Sequence, residues 1–428
     1  MGQPARAGRW TLPDAERYLL GLELFGMRFG LDRMRRLLTA LGQPQDRFPA
    51  VHVVGSNGKS STTRMIAAIL QRHGLRTGAY LSPHLVSFTE RVRVDDTDAD
   101  PATFAAAVQR AAHAAEKVDR TLGPDDRVTQ FEALTAAALA ELADERVDVA
   151  VIEAGLGGRY DATNVLRSPV QVLTNVELEH TRWLGPTIAD IAAEKADVVR
   201  PGATLVLGAG LHPDARAVAE RVASERGATV IDAPADPELP VAALGDHQRR
   251  NFAAAMTAAR AYLGELDPAA VADAAAATLV PGRLEVIDDD GAGPVQLVID
   301  GAHNPAGMAA LVAALPAFVG ERRLVAVVSI LDDKDPSAML SQLLPLCDQV
   351  VFCRIANPRA LSPATLASLA GQLGGARGGG IHTERDVHSA VELARELAEP
   401  EGVVLATGSI YLLADLLRPA GAGRGASL

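Results

Sequence analysis

Short runs rich in Val and Ile alternate along this chain with longer Ala- and Leu-rich segments of helical period, and that alternation constrains the fold more than any other feature. A strand read as a near-continuous apolar run is buried on both faces, which a parallel sheet covered by helices provides. Strands are expected at 50–54 (AVHVV), 77–81, 147–153 (VDVAVIE), 170–176 (VQVLTNV) and 204–208, with helices between them. A second set is expected at 295–300 (VQLVID), 324–330, 349–354 and 402–407, alternating with helices near 305–315, 336–346, 362–373 and 386–399. The polar stretch 288–294 (DDDGAGP) separates the sets and reads as a linker. The Gly-rich tract 374–380 reads as a loop. The division is therefore 1–287, a linker at 288–294, and a smaller doubly wound domain at 295–428.

Length agrees: 428 residues at about 150 per domain give two or three domains. With 48% hydrophobic and 22% charged residues, the chain is neither disordered nor fibrous. No run approaches the roughly 18 apolar residues of a membrane span, and the N-terminus lacks the apolar core of a signal peptide, so a cytoplasmic location is expected. A net charge of −12 without a dense basic run argues against nucleic acid or an anionic membrane as partner. Two cysteines, Cys347 and Cys353, lie in an apolar stretch and read as inert thiols.

Of 41 basic residues only four are Lys: Lys59, Lys117, Lys195 and Lys334. In a chain that writes nearly every cation as Arg, each remaining Lys is a candidate for chemistry that a permanently charged guanidinium cannot perform.

The strand AVHVV runs straight into Gly55, Ser56, Asn57, Gly58, Lys59, Ser60 and Ser61 and then a helical stretch. Strand, Gly turn, Lys-Ser and helix make a phosphate cradle: small residues admit backbone N–H groups to the anion, and the helix N-terminus adds partial positive charge. Lys59 can reach the phosphates and Ser60 can ligate magnesium. Val53 stands where the eight-residue P-loop pattern has its first Gly, so the loop is a shortened one. The first domain is thus a P-loop doubly wound sheet, the second a smaller Rossmann-like α/β unit.

VDVAVIE ends in Glu153 and opens into AGLGGRYDATN, at the carboxyl strand edge where open α/β sheets bind ligands. Glu153 is placed to hold magnesium, Asp161 is available to a substrate, and the alternative for Glu153 is a helix cap. His180, after VQVLTNV, falls at the same edge and is a candidate metal ligand. Lys195 follows in TIADIAAEK; desolvation lowers a lysine pKa and makes the amine a possible ligand, base or nucleophile toward carbon dioxide, whereas a plain ion pair with Glu194 is the ordinary reading. In the second domain Asp300, His303, the Asp332–Asp335 cluster and Ser409 follow strand ends, three polar tips on one edge that imply a site facing the first domain.

Ten segments, among them GSNGKSS, SPHLVSFTERV, TQFEALT, EAGLGGRYDATN, HTRWLGPTIADIAAEK, PGRLE, IDGAHNPAG and ATGSIYLLADL, occur in an order that resembles the folylpolyglutamate synthase and dihydrofolate synthase family, related to the Mur ligases. The resemblance implies an ATP-dependent ligase that couples L-glutamate to dihydropteroate or to a folate γ-carboxylate through an acyl phosphate. It implies ATP on the loop Gly55–Ser61 with Lys59 catalytic, and two Mg2+ sites at Ser60, Ser82, Glu153, His180 and Lys195. Lys195 would carry a carbamate derived from carbon dioxide. Gln248, Asn251, Arg283 and Asp300 would contact ATP, His303 and Ser409 the glutamate, and Thr129, Phe131 and Asp161 the pteridine. A monomer is expected. Ser56 stands where the family commonly has Thr, Ser60 where it has Gly, and Glu179 where it has Asp. Other readings are a Mur-like ligase for a different carboxylate, a P-loop phosphotransferase, or a nucleotide-binding regulator without turnover.

Overall fold

The computed structural model describes residues 8–22, 30–123, 126–235, 239–287 and 295–418; the expected linker 288–294 lies outside the described residues. Two compact units appear. One holds residues 1–239 and 250–278, the other 240–249 and 279–427.

In the first unit, eight strands among the described residues form one sheet: β1 (Ala50–Val54), β2 (Thr77–Tyr80), β3 (Val92–Val94), β4 (Thr97–Asp98), β5 (Val149–Glu153), β6 (Val170–Leu173), β7 (Thr204–Leu207) and β8 (Thr229–Asp232). The order is β4-β3-β2-β5-β1-β6-β7-β8, parallel except for the β2–β3–β4 meander. β1 lies at the centre, with Val53 opposite Glu153 on one side and Val172 on the other. All five residues of β1 and of β5 are buried, as their apolar runs require. On one face Leu173, Leu205 and Leu207 pack against Ile191, Ala192 and Ala196 of the helix Ile188–Ala196 and against Ala215, Val218 and Ala219 of Pro213–Glu225.

The second unit has β9 (Glu285–Ile287), β10 (Gln296–Ile299), β11 (Leu324–Val328), β12 (Gln349–Cys353), β13 (Gly380–Glu384) and β14 (Val403–Thr407) in the order β13-β12-β11-β14-β10-β9. Only β9 runs antiparallel. Met308, Leu311 and Leu315 of the helix Pro305–Val319 fill the space over Val298, Ala326 and Val328.

The expected strands are present but each sheet is mixed, not purely parallel. β9 pairs with β10, so residues from 279 onward go with the second unit ahead of the expected boundary at 287. The tract 374–380 is loop only to residue 379, since Gly380 opens β13. Both cysteines are buried free thiols, pushed up to about 12 by burial. No helix of the described residues is long and apolar enough to cross a membrane.

Candidate active site

At the carboxyl end of β1 the chain turns through Gly55 and Gly58 into the helix Lys59–Arg72. Both glycines are forced. Gly55 sits at φ +151° with a would-be Cβ 1.9 Å from Thr174 Oγ1, and Gly58 at φ +80° with one 2.4 Å from Asn251 Oδ1. Asn251, expected beside the nucleotide, therefore stands against the phosphate loop.

The residues just past β6 hold this loop. Ser56 N–H donates to Asn175 O at 3.0 Å and Asn57 N–H to Asn175 Oδ1 at 2.8 Å. Thr174 Oγ1 donates to Asn57 O at 2.7 Å, and Glu177 N–H donates to Ser56 Oγ at 3.0 Å. Lys59 Nζ folds back on Ser56 O at 3.0 Å. Sequence reasoning missed Thr174 and Asn175; their one signal was a polar TN pair directly after an apolar strand.

Glu153 ends β5, next to β1, and the residue is 1% exposed. Ser60 Oγ donates to Oε1 at 2.9 Å and Ser82 N–H to Oε2 at 3.1 Å. Three expected metal-site residues thus meet, and Glu153 caps no helix. A carboxylate and a hydroxyl are hard oxygen donors that suit Mg2+, which takes one or two carboxylates and completes its shell with water and phosphate oxygens. Among the described residues no three His, Cys, Asp or Glu side chains gather into a metal cage.

Lys195, in the last turn of Ile188–Ala196, is 1% exposed. Its Nζ donates to Gly55 O at 2.9 Å and to Glu179 Oε1 at 3.0 Å. The sequence offered Glu194 as partner; that carboxylate is bound by Arg159 at 2.8 Å instead. Burial pushes the Lys195 amine below its ordinary value, offset in part by Glu179. Burial alone would raise Glu179, but Lys195, Lys59 and His180 together hold it at about 2. The contact is a buried ion pair, each charge compensating the other. His180 adopts the left-handed φ of +47° at the head of the short helix Thr181–Leu184, a conformation uncommon outside Gly and recurrent at functional sites.

The residues expected on the pteridine side have structural partners. Thr129 caps the helix Gln130–Asp144 in a reciprocal box with Glu132, and Arg33 holds Glu132 at 3.2 Å. The Phe131 ring lies on Gly155, where a Cβ would stand 2.5 Å from Cζ. Asp161 is buried; its carboxylate accepts from Leu156 N–H at 2.8 Å and Thr163 N–H at 3.0 Å, and so locks the loop after β5. Burial raises its pKa against those bonds.

In the second unit both Asp300 oxygens are engaged, by Leu284 N–H and Ala302 N–H at 2.8 Å each. Burial raises the Asp300 pKa while Arg283 draws it down. Arg283 Nη1 donates to Gly282 O at 2.9 Å and closes over Gly301, where a Cβ would lie 2.3 Å from it. His303 Nδ1 bonds Gly301 O at 2.8 Å, and Ser409 caps the helix Ile410–Leu417. Gln248 is fully buried.

Comparison with known proteins matches residues 53–207 to the Mur ligase middle domain and 282–410 to the Mur ligase glutamate ligase domain. The dihydrofolate synthase/folylpolyglutamate synthase of Mycobacterium tuberculosis is 34% identical over 412 residues, covering 86% of this chain and 82% of the relative. The structure of Mycobacterium tuberculosis folylpolyglutamate synthase with ADP superposes with a TM-score of 0.86 at 32% identity, over 94% of this chain and 96% of that one. A bifunctional folylpolyglutamate synthase/dihydrofolate synthase with Mn, AMPPNP and L-glutamate bound gives 0.82 at 29% identity, over 95% and 97%.

Proposed function

We infer the reaction from one premise: this chain belongs to the dihydrofolate synthase/folylpolyglutamate synthase family, within the Mur ligases. It is an ATP-dependent acid–amino-acid ligase that adds L-glutamate to dihydropteroate or to the γ-carboxyl of a folate. The observation that carries this reading is the convergence of the loop Gly55–Ser61, Glu153, Ser82 and Lys195 at one edge of one sheet.

A carboxylate is a poor electrophile and an oxide a poor leaving group, so the acid is first activated as an acyl phosphate, which the amine of glutamate attacks with release of phosphate. The loop N–H groups and Lys59 bind and orient the triphosphate, and Ser60 and Glu153 would hold magnesium. The ion would neutralise charge on the transferring phosphoryl group. In this reading Gln248, Asn251, Arg283 and Asp300 serve ATP, His303 and Ser409 serve glutamate, and Thr129, Phe131 and Asp161 serve the pteridine. Asp161 acts there through the loop it locks, since its oxygens are already bonded.

The family resemblance also implies a carbamate on Lys195. As they stand the residues fit an ammonium: a carbamate would set a second anion beside Glu179 in a buried site. NMR with isotopically labelled bicarbonate decides it by the presence or absence of a carbamate signal on the folded protein.

The assignment is tested by supplying ATP, Mg2+ and L-glutamate with dihydropteroate and with tetrahydrofolate in parallel and weighing the products. Gain of one glutamyl unit with glutamate-dependent ADP release is expected. ADP release with no glutamylated product from either acid would move the chain to a ligase for another carboxylate.

A further inference from the structure

A polar cavity lies at the far end of the same sheet. Gln45 sits in the turn Pro44–Asp46 ahead of β1, Asn164 and Arg167 precede β6, and Arg200 precedes β7; Arg35 joins them from the helix Asp32–Ala40. β1, β6 and β7 are parallel neighbours. The cavity therefore opens at their amino ends, whereas the phosphate loop follows the carboxyl end of β1. It is an open groove of about 290 Å³, near the lower limit of about 300 Å³ for small-molecule sites.

Three guanidinium groups and no carboxylate line it. The ion pairs of Arg35 with Asp32 and of Arg167 with Asp46 are both 3.7 Å long and exposed, hence weak. Arg200 is aimed by uncharged acceptors: Leu166 O at 3.0 Å, Asn164 O at 2.8 Å and Asn164 Oδ1 at 2.7 Å. Burial, with Arg226 and Arg35 nearby, presses its pKa down, and Asp197, which opposes this, is itself held by Arg226 at 2.6 Å. Gln45 is only 8% exposed. Its Nε2 donates to Gln43 Oε1 at 2.6 Å, leaving a buried Oε1 without a donor among the described residues. A site with excess positive charge and one orphaned acceptor asks for a ligand that brings anionic oxygens and a hydrogen-bond donor together.

We propose that this cavity binds a small phosphate monoester that carries a hydroxyl, its phosphate held by Arg35, Arg167 and Arg200 and its hydroxyl donating to Gln45 Oε1. Phosphate is favoured over a single carboxylate because its three terminal oxygens can accept from three guanidinium groups, where a carboxylate has only two oxygens to offer. The site is separate from the ligase chemistry and stands or falls independently of it.

The test uses the full chain saturated with Mg2+ and a non-hydrolysable ATP analogue, so that the phosphate loop is filled. Glycerol phosphate, inorganic phosphate and sulfate are titrated calorimetrically into the unaltered protein, into an Arg35→Ala/Arg167→Ala variant of two exposed side chains, and into Gln45→Leu. Glycerol phosphate should bind, weaken as salt rises, and lose about tenfold or more in affinity in the double variant while analogue binding is unchanged. Gln45→Leu should weaken glycerol phosphate and leave sulfate, which has no donor, unaffected. Inorganic phosphate binding as tightly as the ester, and lost in the same double variant, would keep the oxyanion site and assign it to free phosphate. No binding of any probe, or binding that the double variant leaves intact, overturns the proposal.

Discussion

Glu179 and Lys195 form a buried pair in which each charge relies on the other. The Glu179 carboxylate, 3.0 Å from Nζ, is the acid that pairs with this buried lysine. Removing one partner of a buried pair strands the other charge, at a cost of about 3–5 kcal/mol. Glu179→Gln, which preserves length, should lower the unfolding free energy at neutral pH by that order, read from the urea midpoint. Lys195→Met should cost a similar amount, and the double variant should recover much of the loss; additive losses would show that the two charges do not rely on each other. The scarcity of Lys in the sequence pointed to Lys59 and Lys195, but not to their partners. Glu194 is nearer in sequence than Glu179, and only the turn after β6, with His180 at positive φ, brings Glu179 under the helix that carries Lys195. Asn175 was invisible for the same reason: its contacts with Ser56 and Asn57 cross more than a hundred residues.

The central strand β1 joins fold to chemistry, and His52 in its middle is fully buried, with Nε2 2.8 Å from Thr163 Oγ1. Burial, aided by the charge of Arg200, lowers its pKa to about 3. In the unfolded chain a histidine takes its proton near pH 6.5. Between those values the unfolded state alone is protonated, so stability is full above about pH 6.5 and declines as pH falls, by up to about 1.4 kcal/mol per pH unit. His52→Leu should flatten that slope between pH 6 and pH 4 in urea unfolding; an unchanged slope would locate the acid sensitivity elsewhere. Elements like β1 and β5 were legible because burial on both faces writes an unbroken apolar run. β4, two exposed residues, and β8, with three of four residues exposed, carry no such pattern. β13 was hidden by the glycines that lead into it: it begins at Gly380, at the end of a tract whose composition reads as loop.

At the scale of the molecule, two α/β units were legible from the alternation of strand and helix, whereas the point of division was not. Composition marks 288–294, a polar, Gly-containing stretch between the two sets of strands, but hydrogen bonding decides membership. Ile287, Val286 and Glu285 face Leu297, Val298 and Ile299 across β9 and β10, and Leu284 N–H reaches the Asp300 carboxylate at the next position of the same pairing. A strand whose edge is stripped exposes unpaired N–H and C=O groups and becomes a template for association. Fragments of the second unit beginning at Leu279 and at Val295, both ending at Arg418 and both lacking 240–249, differ only in this segment. The longer should remain monodisperse in size-exclusion chromatography and the shorter should associate or precipitate, because β10 loses its neighbour and Asp300 loses one of its two N–H donors in a buried setting, where an unsatisfied carboxylate oxygen costs about 1–3 kcal/mol. Equal behaviour of the two fragments would mean that β9 adds nothing to the second sheet beyond proximity in sequence, and the division would then belong at the polar stretch that composition indicates.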